Sequence, residues 1–148
     1  MSVNVAGILA RKGTDVITMT RDAAVSAAVQ VLTEHNVGAL VVCDAAGAIV
    51  GIVSERDIVR WLARRGSAVL EGAVEEVMTA DVLTCTPQST ADEVMQTMTV
   101  HRARHLPVVD DRGQLAGIVS IGDVVKSRID DLQTQAQSME AYISGSHR

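Results

Sequence analysis

Hydrophobic positions along the chain change period several times, and the changes come in the same order twice. A short β-rich run comes first, at Val16 to Met19 and again at Val82 to Thr86. A stretch at helical spacing follows. In the first case Val25, Ala28, Val29 and Leu32 share a face behind Asp22, a candidate N-cap. In the second, Val94, Met95 and Met98 follow a Ser89-x-x-Asp92 start signal. Next come two continuous apolar runs joined by an Asp-x-x-Gly turn. These are Ala39–Cys43 and Ile49–Val53 around Asp44–Gly47, then Leu106–Val109 and Leu115–Val119 around Asp110–Gly113. Such pairs predict hairpins. A second helix is expected from Glu55 and from Ile121. Each copy therefore reads β-α-β-β-α.

The register supports duplication. Gly51-Ile52-Val53-Ser54-Glu55-Arg56-Asp57 recurs 66 positions on as Gly117-Ile118-Val119-Ser120-Ile121-Gly122-Asp123. At that offset 17 of the 46 positions from 15–60 to 81–126 are identical, among them the His35/His101 and Leu40/Leu106 pairs. A half-size unit cannot bury both of its faces, so the copies are expected to pack on each other around a shared core. The fold class is α/β (α+β): two pseudo-symmetric repeats face to face, plus a C-terminal helix. Expected boundaries are 1–65 for repeat one, 66–73 for a linker with Gly66 at its start, 74–128 for repeat two and 129–148 for a helical extension. In that extension Val125, Ile129, Leu132, Ala136, Met139 and Ile143 step by 4 and 3 along one helix.

Composition narrows the function. Trp61 and Tyr142 are the only aromatic residues among 148, so the core is expected from Val, Ile, Leu, Ala and Met, with Met78, Met95 and Met98 on apolar faces. Net charge is −5. An acidic chain without aromatic stacking platforms is a poor candidate for nucleic acid. Cys43 and Cys85 form no CxxC unit and read as small buried residues of a reducing compartment. No apolar stretch is long enough for a membrane span, and Met1–Ala10 lacks the basic lead of a signal peptide. A cytoplasmic location is expected. No catalytic motif is present. The His residues at 35, 101, 105 and 147 make no ligand set with clustered Cys or carboxylates, although His101 and His105 are four apart.

Several motifs together resemble the CBS-domain pair, the Bateman module also found in AMP-activated protein kinase and IMP dehydrogenase. They are Val74-Glu75-Glu76-Val77-Met78, His105-Leu106-Pro107-Val108-Val109-Asp110 and the two G-I-V-S-x-x-D runs. Copy one departs from the pattern. Leu9 stands where Met is usual, Val41 where copy two has Pro107, and Gly38 where it has Arg104; the stretch from Leu9 to Asp15 is three residues longer than that from Met78 to Asp81. The resemblance implies a non-catalytic module that binds an adenine nucleotide and needs no cofactor. Candidate ligands are AMP, ADP, ATP, NAD(H) and S-adenosylmethionine. It also implies two clefts that mix the copies. One would use Ser54, Arg56 and Asp57 with Ala80–Val82, Arg104 and His105. The other would use Ser120 and Asp123 with Thr14–Val16, Gly38 and Ala39. Chemically, a carboxylate can accept both hydroxyls of a ribose, and cations or a helix start can hold phosphate. The first cleft gathers more positive charge and is expected to bind phosphate better. The Ser-x-x-Asp pairs also read as plain helix caps, and the His101–His105 strip as a solvated helix end. With no second domain evident, output would act in trans on an unknown partner, and a homodimer is expected. A dimerising adaptor without ligand is the alternative, and a nucleic-acid module the weaker one.

Overall fold

The structure, a computed structural model, describes residues 3–146. His147 and the outermost boundaries at 1 and 148 lie outside the described residues. In chain order the elements are α1 (Val5–Lys12), β1 (Thr18–Thr20), α2 (Val25–His35), β2 (Ala39–Cys43), β3 (Ile49–Ser54) and α3 (Glu55–Arg65). After 3-10 turns at Gly66–Glu71 and Val74–Glu76 come α4 (Ala91–His101), β4 (His105–Val109), β5 (Leu115–Ser120) and α5 (Ile121–Ser146).

The hairpins form as the apolar runs predict. β2 pairs antiparallel with β3, and β4 with β5, in matching registers: Leu40 opposite Val53, Leu106 opposite Val119. Asp44 Oδ1 accepts from the Ala46 and Ala48 N–H groups, and Asp110 Oδ1 from those of Arg112 and Gln114. Gly47 and Gly113 then close the turns at φ 85° and 76°, where a side chain would be strained.

The leading β-runs fare unequally. β1 joins β2 in parallel two residues later than expected, at Thr18–Thr20. The run Val82–Thr86 does not become a named strand; Cys85 alone bridges Val108. The reason is Pro107. In copy one the Val41 N–H donates to Ile17 O at 3.2 Å, and Pro107 at the equivalent place has no N–H to give.

Two helix starts also differ from expectation. Asp22 does not cap α2. Ala24 holds the cap position without a side-chain bond, and the Val25 N–H is taken by Gly72 O at 2.9 Å. A carbonyl from the segment between the repeats thus does the work of a cap. At α4 the cap is Thr90, whose hydroxyl accepts from Glu93 N–H; Ser89 instead bonds Thr86 in the turn before. Helix α1 had no counterpart in the β-α-β-β-α pattern. Asn4 caps it through the Gly7 N–H at 3.0 Å.

The shared core resolves into two clusters, each built from both halves. One contains Leu106, Val108, Val119, Val94 and Met98 of copy two together with Val5, Ile8 and Leu9 of α1. The other contains Leu40, Val42, Val53, Val25 and Leu32 of copy one with Val69, Val74 and Val77. The leading segments cross over. Leu9 packs on Gly117, where an added Cβ would stand 2.8 Å from its Cδ2, and Met78 packs on Gly51 in the same way. Met98 is fully buried, while Met78 and Met95 pack at the margins of the clusters. Trp61 packs against the first-copy core under the Arg65 guanidinium, 4.6 Å from the ring centroid.

Candidate functional site

Both G-I-V-S-x-x-D runs end a strand and start a helix, and both form the same cap. The Asp57 N–H donates to Ser54 Oγ at 3.2 Å, while Ser54 N–H and hydroxyl donate to Asp57 Oδ2 at 2.9 and 3.0 Å. In copy two the Ser120 N–H donates to Asp123 Oδ2 at 2.9 Å and the Asp123 N–H to Ser120 Oγ at 3.1 Å. The capping reading is therefore real in both copies. It leaves each carboxylate half-buried at a helix start, where an anion is favoured and further hydrogen bonds can be accepted.

What surrounds the two caps differs. Ser54, Arg56 and Asp57 line a cavity of about 850 Å³ between the repeats. Its other walls are Thr79 and Asp81–Leu83, which lead into copy two, and His101–His105, where α4 ends and β4 begins. Of the residues expected in this cleft, only Ala80 is not in its lining. Gly38, expected in the second cleft, borders this cavity instead: a Cβ there would lie 3.2 Å from the His105 ring and 3.0 Å from Glu55 Oε1. Arg60, Arg102 and Ile52 also line it and were not expected. Arg60 was legible, since it follows Arg56 by one helical turn and so shares its face. Arg102 was not, because its direction depends on a left-handed backbone at the end of α4, φ 54°.

The cavity is rich in cations. Arg56, Arg60, Arg102 and Arg104 all border it, against Glu55, Asp57 and Asp81. None of the four arginines makes an ion pair among the described residues. Exposed arginines bordering a cavity that also holds a helix start suit a phosphate, which can accept in bidentate fashion. His105 is half-buried beside them. Burial pushes its pKa below the ordinary 6.5, and the Lys12 ammonium adds to that, against Asp123 and Glu55. It is therefore a neutral donor or acceptor at neutral pH.

The residues expected in the second cleft do not line that cavity, Gly38 excepted. Ala39 is buried in β2 opposite Ser54, and Thr14 and Asp15 are exposed with Val16 half-buried. Beside Ser120 and Asp123 sits Lys12, whose Nζ donates to Asp123 Oδ2 at 2.7 Å and to Ile118 O at 2.9 Å. Burial acts to raise the Asp123 pKa, but the Lys12 ammonium and the Ser120 donors outweigh it and hold the carboxyl below 3.8.

Other chemistry is not assembled among the described residues. His101 closes α4 and His105 opens β4, so the pair does not share a helical turn. No group of three or more His, Cys, Asp and Glu is placed to hold a metal. Cys43 and Cys85 are unbridged; burial pushes the Cys85 thiol up to about 11, far from a reactive thiolate. Among the described residues no helix is long and apolar enough to cross a membrane.

Comparison with known proteins agrees with this architecture. The family model described as CBS domain matches twice, over residues 6–64 and 74–130. A CBS-domain-containing protein of Agrobacterium tumefaciens superposes with a TM-score of 0.83 at 46% identity, covering 86% of this chain and 95% of its own. The CBS domain pair of protein MJ0100, solved with 5′-methylthioadenosine and S-adenosyl-L-methionine, gives a TM-score of 0.76 at 29% identity, over 85% of this chain and 95% of that one. The mitochondrial CBS domain-containing protein CBSX3 of Arabidopsis thaliana is 39% identical over 132 residues, which is 86% of this chain. The chain spans only 64% of that relative's length.

Proposed function

The chain belongs to the CBS-domain family, and from that premise we propose that it is a non-catalytic sensor of an adenine nucleotide whose bound state is read by a partner protein. The observation that carries this is the cavity between the repeats, which four arginines without ion-pair partners among the described residues border together with the Ser54–Asp57 cap. Asp57 would accept the ribose hydroxyls, the arginines and the start of α3 would take the phosphates, and Ile52, Val82 and Leu83 would flank the base. The adenosine compounds bound by the MJ0100 domain pair support an adenosine ligand here. A cytoplasmic location is part of the proposal; two unbridged thiols suit a reducing compartment.

A thermal-shift panel of AMP, ADP, ATP, NAD and S-adenosylmethionine, with GTP as control, tests it. A ligand at about 100 times its Kd adds roughly 2.7 kcal/mol. At roughly 2–4 °C per kcal/mol, that is a rise of several degrees. The rise is expected with an adenosine compound, and Asp57→Ala is expected to abolish it. If Asp123→Ala abolished it and Asp57→Ala did not, the ranking of the two clefts would be wrong. A flat panel would favour the adaptor reading, for which the exposed apolar stripe of α5 speaks: Val125, Ile129, Leu132 and Met139 are 42–66% exposed.

A further inference from the structure

The two Ser-x-x-Asp caps are built alike, but one carbonyl and one carboxylate beside them are engaged differently. In the open cleft the carbonyl of Ile52 accepts from the backbone N–H of Thr79 at 2.8 Å, and no lysine or arginine pairs with Asp57 among the described residues. At the equivalent place in copy two, Ile118 O accepts from the side chain of Lys12, and the same ammonium pairs with Asp123 at 2.7 Å. Lys12 ends α1. It stands in the stretch between Leu9 and Asp15, three residues longer than its counterpart between Met78 and Asp81. The neighbouring Arg11 pairs with Asp130 at 3.2 Å, which ties the end of α1 to α5. The Lys12 and Asp123 side chains are 31% and 25% exposed, so the pair is partly shielded from solvent.

We propose that Lys12 is a built-in occupant of the second cleft, so that each chain takes one adenine nucleotide and not two. The inference rests on the reading of the Ser-x-x-Asp clefts as nucleotide sites. Its physics is competition. A ribose diol reaching Asp123 meets an ammonium already held at Oδ2 by a short, charge-assisted hydrogen bond; to take that oxygen it must displace Lys12, which leaves the ammonium and Ile118 O without each other. Asp57 faces no such competitor. The extra residues after Leu9 thus convert a duplicated pair of sites into one working site and one internally satisfied copy.

Isothermal titration with AMP and, in parallel, with ATP tests this on the full chain. Lys12→Ala removes the ammonium, and Lys12→Met keeps the apolar stem in case the shorter side chain loosens α1. The natural chain is expected to bind one nucleotide, lost in Asp57→Ala and kept in Asp123→Ala. Both Lys12 variants are expected to bind two, the second lost when Asp123→Ala is added. One site in the natural chain that stays one in both Lys12 variants would overturn the proposal while leaving the nucleotide reading intact. So would two sites in the natural chain, or loss of binding in the Lys12 variants, which would make Lys12 a ligand for phosphate. No binding by any of these proteins would overturn the nucleotide reading itself.

Discussion

His105 concentrates the physics of the site in one side chain. It opens β4, lies against Gly38 and feels Lys12, Asp123, Glu55 and Arg104. Because its folded pKa is below its ordinary 6.5, the unfolded chain takes up a proton first as pH falls. Stability from keeping the imidazole neutral is therefore full above 6.5 and lost as pH drops from there towards the lowered folded value. Urea unfolding of the natural chain and of His105→Gln, at about pH 7.5 and about pH 5.5, checks this. The natural chain is expected to lose more stability across that interval; equal losses would show that His105 carries no such linkage. Under the proposed function Asp57 has a double role at the same scale. Since it closes the cap of α3, Asp57→Ala is expected to cost about 1 kcal/mol of stability besides its effect on ligand. Binding comparisons are therefore made well below the melting temperature of the variant.

At the scale of elements, the crossing of the leading segments is what fixes the fold. α1 lies over β5 and the segment ending at Met78 lies over β3, each at a glycine. An alanine at Gly51 would drive into the Met78 thioether and stand 3.1 Å from the backbone Thr79 O. At Gly117 the obstacle is only the tip of Leu9. Overpacking of this kind costs about 1–3 kcal/mol. Gly51→Ala is expected near the top of that range and Gly117→Ala near the bottom, because a leucine tip can turn aside and a carbonyl cannot. Denaturant midpoints measure the order, and a reversed order would contradict this account of the crossings. The hairpins were legible because alternation of run, Asp-x-x-Gly turn and run is a local signal. α1 carries an equally local signal: Asn4 before Val5, Ile8 and Leu9, with Arg11, Lys12 and Gly13 behind, is a complete start-and-stop pattern. The cap at Asp22 misled because a tertiary acceptor, Gly72 O, takes the place of a side-chain cap, and the one at Ser89 because its neighbour Thr90 holds the cap position.

For the whole molecule, the question is what covers α5. This single helix of 26 residues runs on past the core, and its heptad-spaced Val125, Ile129, Leu132 and Met139 are exposed. A second copy meeting this stripe across a two-fold axis is the proposed assembly. Sedimentation of the natural chain is expected to give a dimer of the 15.7 kDa chain, and Ile129→Asp with Leu132→Asp is expected to give monomers. A natural chain that sediments at 15.7 kDa at working concentration would refute the dimer.

The sequence by itself determined the duplication, the hairpins, the position of both Ser-x-x-Asp caps and the continuous final helix. Each of these depends on residues close in the chain, or on one fixed offset between two copies. Only the tertiary structure decided that the leading segments exchange, that Pro107 leaves Cys85 with a single bridge, and that Gly38 belongs beside His105. It also decided which cleft stays open. Identical motifs at Ser54 and Ser120 cannot announce that Lys12, more than a hundred residues before Asp123, will come to lie 2.7 Å from it. Hydrogen bonds and burial are set by distance in space, and a local pattern carries no record of its distant neighbours.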